Sequence, residues 1–201
     1  MEITLMRHGK SNHTNKSAVS CSEFVKWVDD YDATGIIQEI ALPEQTKEKA
    51  KEAKLIVTST LSRSIQSADR LGIKSFIISD SLFREAEMPV LVSPLLNIKA
   101  PPSLWAVYHR CLWLMGYKGK KESMKGAKER AVKASNRLIE LAVEYDHVLL
   151  AGHGVFNQFI AWELLKAGWR GNKKTGRHHW SCTSYTLPDA KNRHIRISEL
   201  S

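Results

Sequence analysis

The sequence predicts an α/β fold, a three-layer αβα sandwich around a mostly parallel central sheet. Three observations predict it. The strongest strand candidates, at 55–60 and 147–154, are short, continuous and apolar rather than alternating, the pattern of strands covered on both faces. Segments of helical periodicity separate the strand candidates along most of the chain. No internal repeat and no long polar window interrupts the series.

The elements follow in chain order. Residues 2–6 form a first apolar strand that stops abruptly at Arg7, His8 and Gly9. The stretch SEFVKWVDDYD places Phe24, Trp27, Val28 and Tyr31 at helical spacing, with Ser22 as its cap and Gly35 as its stop. A polar surface helix over 46–54 leads to the strand LIVTST. Next comes a helix, SRSIQSADRLG, with Ile65, Ala68 and Leu71 facing inward and Gly72 ending it. Residues 75–80 are another strand. Four prolines make 81–103 irregular. A strongly apolar helix covers 103–115 and a long amphipathic one 123–146, with Ala127, Ala131, Ala134, Leu138, Leu141 and Tyr145 on its buried side. The strand HVLLAGHG, a helix over 155–168 and two closing strands, SYTLPD and HIRIS, complete the chain. One domain over 1–201 is expected, with 81–125 as a candidate substrate-covering insertion.

Composition narrows the function. Thirty Lys+Arg against 21 Asp+Glu give a formal net charge of +9. The lysines are scattered among glutamates on helical stretches, the pattern of solvated faces, and no nucleic-acid motif accompanies them. Neither nucleic acid nor a membrane is therefore the expected partner, and the net charge alone does no more than suit an acidic one. Three distant cysteines without a CxxC pair point to reduced thiols, no signal peptide is evident, and the expected compartment is cytoplasmic. His178, His179 and Cys182 in GRHHWSC lack a second ligand pair at zinc spacing, so neither metal nor cofactor is expected. Trp105, Trp113 and Leu114 make the 103–115 helix a candidate homodimer face should they prove exposed.

In a parallel sheet, ligands bind beyond the carboxyl ends of the strands. Three strands end on polar groups: the first on Arg7, His8 and Gly9, the second on a path to Arg63, the third on His153 and Gly154. Two guanidiniums can fork onto phosphoryl oxygens. A neutral imidazole is a competent nucleophile near neutral pH, and attack on phosphorus would split one displacement into two. The leaving alkoxide would need a nearby acid.

LMRHGKS resembles the signature of the histidine phosphatase superfamily, which includes the cofactor-dependent phosphoglycerate mutases. STLSRSIQSA is similar to the family's second motif, LLAGHG to its third, and LFREAEMP to the loop that supplies its acid, in the family's order over residues 3–154. The resemblance implies the phosphoglycerate mutase-like form of the fold and a metal-independent phosphomonoester phosphatase. His8 would be the phosphorylated nucleophile, Arg7 and Arg63 the phosphoryl clamp, His153 a stabiliser of transition-state charge, and Glu85 the acid and later the base. Glu87 is the alternative acid. Gly9, Ser11 and Gly154 would assist phosphate binding, and Thr14 or Asn15 would replace an asparagine of many relatives.

Lys10 stands where many relatives carry glutamate or glutamine. The apolar AEMPVLVSPLL replaces a glycine-rich continuation, and either forms a site rim favouring leaving groups with hydrophobic surface or packs on the 103–115 helix. The chain is shorter than the mutases and lacks their covering tail, so water should reach a phosphohistidine and hydrolysis is favoured over transfer. A mutase, a protein phosphohistidine phosphatase and a non-catalytic phosphate-binding module stay as alternatives.

Overall fold

β1 (Glu2–Arg7) runs through the middle of a six-stranded sheet in a computed structural model that describes residues 1–90, 98–117 and 121–187. The sheet order is β3-β2-β4-β1-β6-β5. Four strands are parallel: β1, β2 (Leu55–Thr58), β3 (Phe76–Ser79) and β4 (His147–Gly152). β5 (Arg170–Gly171) and β6 (Cys182–Thr186) close one edge in antiparallel register. The α/β architecture read from the sequence is the one observed. SYTLPD supplies most of β6, β5 was not anticipated, and HIRIS lies outside the described residues.

Side-chain alternation along β1 sends Ile3 and Leu5 to one face and Met6 to the other. The first face packs on α5 (Met124–Tyr145) and α6 (Gly154–Lys166), the second on α2 (Glu44–Glu52) and α3 (Ser62–Arg70). A third cluster of Cys21, Phe24 and Trp105 joins α1 (Cys21–Ala33) to α4 (Pro102–Leu114). Met88 and Val90 pack against that cluster, so part of the proline-rich stretch does rest on the α4 helix.

Local chemistry moved several expectations. The cap of α1 is Ser20, not Ser22, because only Ser20 has a glutamate three residues on: Glu23 and Ser20 form a reciprocal capping box. On α3, Ile65 is 36% exposed and the buried face is Arg63, Ser64, Ser67 and Ala68. Trp105 and Trp113 are buried and only Leu114 of that trio is exposed, so the tryptophans fill the interior rather than a surface for a second copy. No helix among the described residues is long and apolar enough to cross a membrane.

Candidate active site

Register brings the two motif histidines together. Arg7 pairs with Gly152 across β1 and β4, so His8 and His153 each sit one residue past the same edge. His8 N–H donates to the Gly152 carbonyl at 3.0 Å, and the two imidazole centroids are 5.1 Å apart. β2 places Thr58 beside Ala151, which carries Ser59 to the same level. Ser59 Oγ lies 2.7 Å from His153 Nε2. The serines of α3 tie the strand ends down: Ser67 Oγ accepts from Gly9 N–H and donates to the Arg63 carbonyl, and Ser64 Oγ accepts from Ser59 N–H.

The arrangement fixes the state of His8. Its Nδ1 is 2.7 Å from the Gly9 carbonyl, and a carbonyl only accepts, so Nδ1 carries the proton and Nε2 keeps its lone pair. Burial, reinforced by the charges of Arg63 and Arg7, lowers its pKa from 6.5 to about 3. His153 is lowered well below its ordinary value for the same reasons, burial first and then Arg63. Both rings are neutral at physiological pH.

Arg63 is only 2% exposed, yet fully charged guanidinium is costly to bury unpaired. Asp32 at the end of α1 accepts from its Nη1 at 2.9 Å, and the Tyr31 ring lies 4.7 Å below the guanidinium carbon. Arg7 donates to the Arg177 carbonyl. Among the buried nitrogens without a protein partner are Arg7 Nε, Arg63 Nε and His153 Nδ1. Their donors suit an anion with several oxygens.

Glu85 sits at the N-terminus of α6. Its Oε1 accepts from the amides of Phe156 and Ala86, each at 2.9 Å, and its Oε2 from Val155 at 3.2 Å. Arg130 of α5 holds the loop from behind, donating to the carbonyls of Leu82 and Arg84 at 2.8 Å while pairing with Glu122. Glu87 is exposed and accepts from Glu122 N–H at 3.3 Å.

A cavity of about 690 Å³ opens on this edge, lined by Arg7, His8, Arg63, Glu85 and Glu87 and walled by α1 and α4. A second, of about 590 Å³, shares only Arg7 and Glu85 with it and lies under the basic loop of Lys173, Lys174 and Arg177. His8 faces the first.

The predicted residues thus divide. Arg7, His8, Arg63, Glu85 and His153 gather at one edge. Gly9 adjoins them, but its lack of a side chain serves packing: a Cβ there would stand 2.4 Å from the Trp180 ring. Gly154 opens α6, and a Cβ there would meet only Arg7, at 3.6 Å. Ser11 is buried and bonds to His13 N–H. Thr14 and Asn15 are exposed and do not line the cavity, and the Asn15 side chain accepts from Ser17 N–H. Sequence reasoning missed Asp32, Arg130 and His179. The His179 ring is 5.5 Å from that of His8 and its Nδ1 is 3.1 Å from the His8 carbonyl. The GRHHWSC cluster was the available signal, weighed only as a metal site. Its Cys182 bonds to Trp180 and Thr46 instead.

Comparison with known proteins bears on the family and the fold. The model of the histidine phosphatase superfamily (branch 1) matches residues 3–200. No curated protein matches the chain. Among solved structures, mycobacterial hydrolase 2 is 19% identical with a TM-score of 0.55, covering 94% of this chain and 84% of its own. A mycobacterial glucosyl-3-phosphoglycerate phosphatase in complex with VO3 is 18% identical with a TM-score of 0.53, covering 91% and 90%. At such identities the likeness speaks for the fold alone.

Proposed function

The chain belongs to the histidine phosphatase superfamily, and from that premise we propose that it is a metal-independent phosphatase of small phosphomonoesters acting through a phosphohistidine at His8. The observation that carries this reading is the state of His8. It is a neutral imidazole, its Nδ1–H tied to a carbonyl and its Nε2 lone pair free, beside two guanidiniums with unpartnered buried donors.

The phosphoryl group lies among Arg7, Arg63 and His153, whose donors replace the charge stabilisation that metal ions supply elsewhere. His8 Nε2 attacks phosphorus as the bond to the leaving oxygen breaks. Glu85 passes its proton to that oxygen. The resulting carboxylate then takes a proton from water, the hydroxide displaces phosphate from His8, and the site returns to its starting state. Glu85 suits the double role because the amides of α6 fix its position through both half-reactions. A neighbour of the same fold, the mycobacterial glucosyl-3-phosphoglycerate phosphatase, was solved with VO3, a phosphate-like anion.

The test is hydrolysis of para-nitrophenyl phosphate in EDTA between pH 5 and 8, with acid-quench trapping of phosphoenzyme. Wild type should turn over and yield an acid-labile phosphoprotein. His8→Ala should lose both, with at least a ~10³-fold fall in rate. Turnover that survives in His8→Ala, or that vanishes in EDTA, overturns the mechanism.

A further inference from the structure

One short stretch holds the turn that carries the nucleophile. β6 is antiparallel to β1 with Met6 opposite Cys182, so the chain just before β6 passes beside Arg7, His8 and Gly9. Arg7 N–H donates to the Ser181 carbonyl at 3.1 Å, and Trp180 N–H donates to the Arg7 carbonyl at 2.9 Å. The Arg7 side chain donates to the Arg177 carbonyl, and the Trp180 ring covers Gly9 closely enough to leave no room for a Cβ. The stretch is strained. Trp180 has φ 65°, one of two non-glycine residues in the left-handed region among the described residues. Several ties hold it there: Thr46 Oγ1 donates to the Trp180 carbonyl at 2.7 Å, Trp180 Nε1–H donates to Glu39, and Ser181 Oγ–H donates to the His178 carbonyl at 2.6 Å. Neighbouring side chains of an extended strand point to opposite faces. The left-handed residue breaks that alternation, and His179 and Trp180 both lie against the nucleophile turn.

His179 makes the contact with His8 itself. Its Nδ1 lies 3.1 Å from the His8 carbonyl, and a carbonyl only accepts, so His179 donates from Nδ1. The two rings pack with centroids 5.5 Å apart. His179 lines neither of the two cavities at this edge, so it can act only through His8. The peptide joining His8 to Gly9 is planar, and it is tied on both sides: its carbonyl accepts from His179 and its N–H donates to Ser67 Oγ at 2.8 Å. The next carbonyl, that of Gly9, holds His8 Nδ1–H at 2.7 Å. Glycine turns freely about its backbone bonds, so a Gly9 carbonyl stays under the imidazole only if the peptide before it is fixed. His179 supplies one of the two ties that fix it.

We propose that His179 is a positioning residue for the nucleophile: by holding the His8 carbonyl and one side of its ring, it keeps Nε2 in line with phosphorus. His8 is the attacking group in the first half-reaction and the leaving group in the second, so a loosened ring slows both. His179 touches no substrate and exchanges no proton in this role. The role rests on the phosphohistidine reading above.

The experiment compares wild type with His179→Ala, His179→Phe and His179→Asn on para-nitrophenyl phosphate. It reads kcat, KM, the inhibition constant of inorganic phosphate, and the rates at which acid-quenched phosphoenzyme forms and decays. His179→Phe keeps a ring and loses the donor, whereas His179→Asn loses the ring and keeps an amide N–H where Nδ1–H stands. The alanine and phenylalanine variants should lose about tenfold in kcat and slow both formation and decay, with KM and phosphate inhibition within about threefold of wild type. The asparagine variant should recover kcat to within about threefold of wild type. Should the alanine variant fail to fold, the phenylalanine and asparagine variants read the same contrast. A phenylalanine variant as fast as wild type, an asparagine variant as slow as the phenylalanine one, or a loss confined to KM overturns the positioning role while leaving the phosphatase reading intact. Absence of any acid-labile phosphoprotein in wild type overturns that reading, and the positioning role with it.

Discussion

Four carboxylates line the cavity, and the attachments of three of them set their roles. Glu85 is locked to the first turn of α6, Glu87 leans outward to Glu122 N–H, and Asp32 is bound to Arg63. Glu85→Gln should therefore cut kcat by ~10²–10⁴-fold, the range of a lost general acid, while Glu87→Gln stays within about threefold of wild type. The reverse pattern in steady-state rates would move the acid to Glu87. Asp32→Asn should leave folding intact and raise KM for phosphate esters roughly tenfold, because the amide holds the Arg63 fork less firmly. Asp29→Asn is the control, since Asp29 lines the same cavity without an ion pair among the described residues. Equal KM values for the two variants would deny Asp32 any part in orienting Arg63. Arg7, His8, Arg63 and His153 were legible because each lies within a motif that follows a strand, and Glu85 through the resemblance of its loop. Asp32 was not: its partner is 31 residues away, and nothing local distinguishes it from Asp29 and Asp30 on the same helix.

At the scale of elements, strand direction decides what can reach the site. The parallel strands present their carboxyl ends, which a reading of βα units finds. β6 runs the other way, with Cys182 opposite Met6, so it delivers the residues that precede it, His179 and Trp180, to the edge where His8 lies. Polar residues before an antiparallel edge strand give no such signal in sequence. On α3 the inward positions Ala68 and Leu71 held and Ile65 did not, for a related reason: periodicity favours Ile65, but the interior at this edge requires Ser64 and Ser67 to bond the strand-end backbone. Arg130 shows how a distant helix sets the loop of Glu85. It donates to two loop carbonyls and its guanidinium carbon lies 3.8 Å over the Phe156 ring. Arg130→Met keeps the apolar contact and removes the ties, so kcat should fall about tenfold with little change in KM. Combining it with Glu85→Gln should cost little beyond Glu85→Gln alone, because Arg130 acts through that carboxylate. Additive losses in the double variant would assign Arg130 a role independent of Glu85.

The whole molecule carries a linkage between its site and its stability. Two imidazoles, His8 and His153, are 3% and 0% exposed and have pKa values lowered to about 3 and well below 6.5. In the unfolded chain each titrates near ~6.5. Between these limits the unfolded state binds protons that the folded state refuses, so stability falls as pH drops through that window. At pH 5 the buried His8 costs about 2 kcal/mol relative to pH 7.5, as the unfolded imidazole is then mostly protonated while the folded one is not, and His153 adds a cost of the same sign. Carboxylates such as Glu2, whose pKa is lowered by Lys49 and hydroxyl hydrogen bonds that outweigh its burial, lose their contribution only below the usual carboxylate range. The loss above pH 5 therefore belongs largely to the site. Urea unfolding of wild type at pH 7.5 and pH 5 should show a drop that shrinks by about 2 kcal/mol in His8→Asn, and further in the His8→Asn, His153→Asn pair. The same replacements should abolish turnover, tying acid sensitivity to the groups that perform the chemistry. A drop of unchanged size in both variants would mean that the imidazoles titrate alike in folded and unfolded chains. The neutral His8 on which nucleophilic attack depends would then not be protected by the fold below pH 6.5.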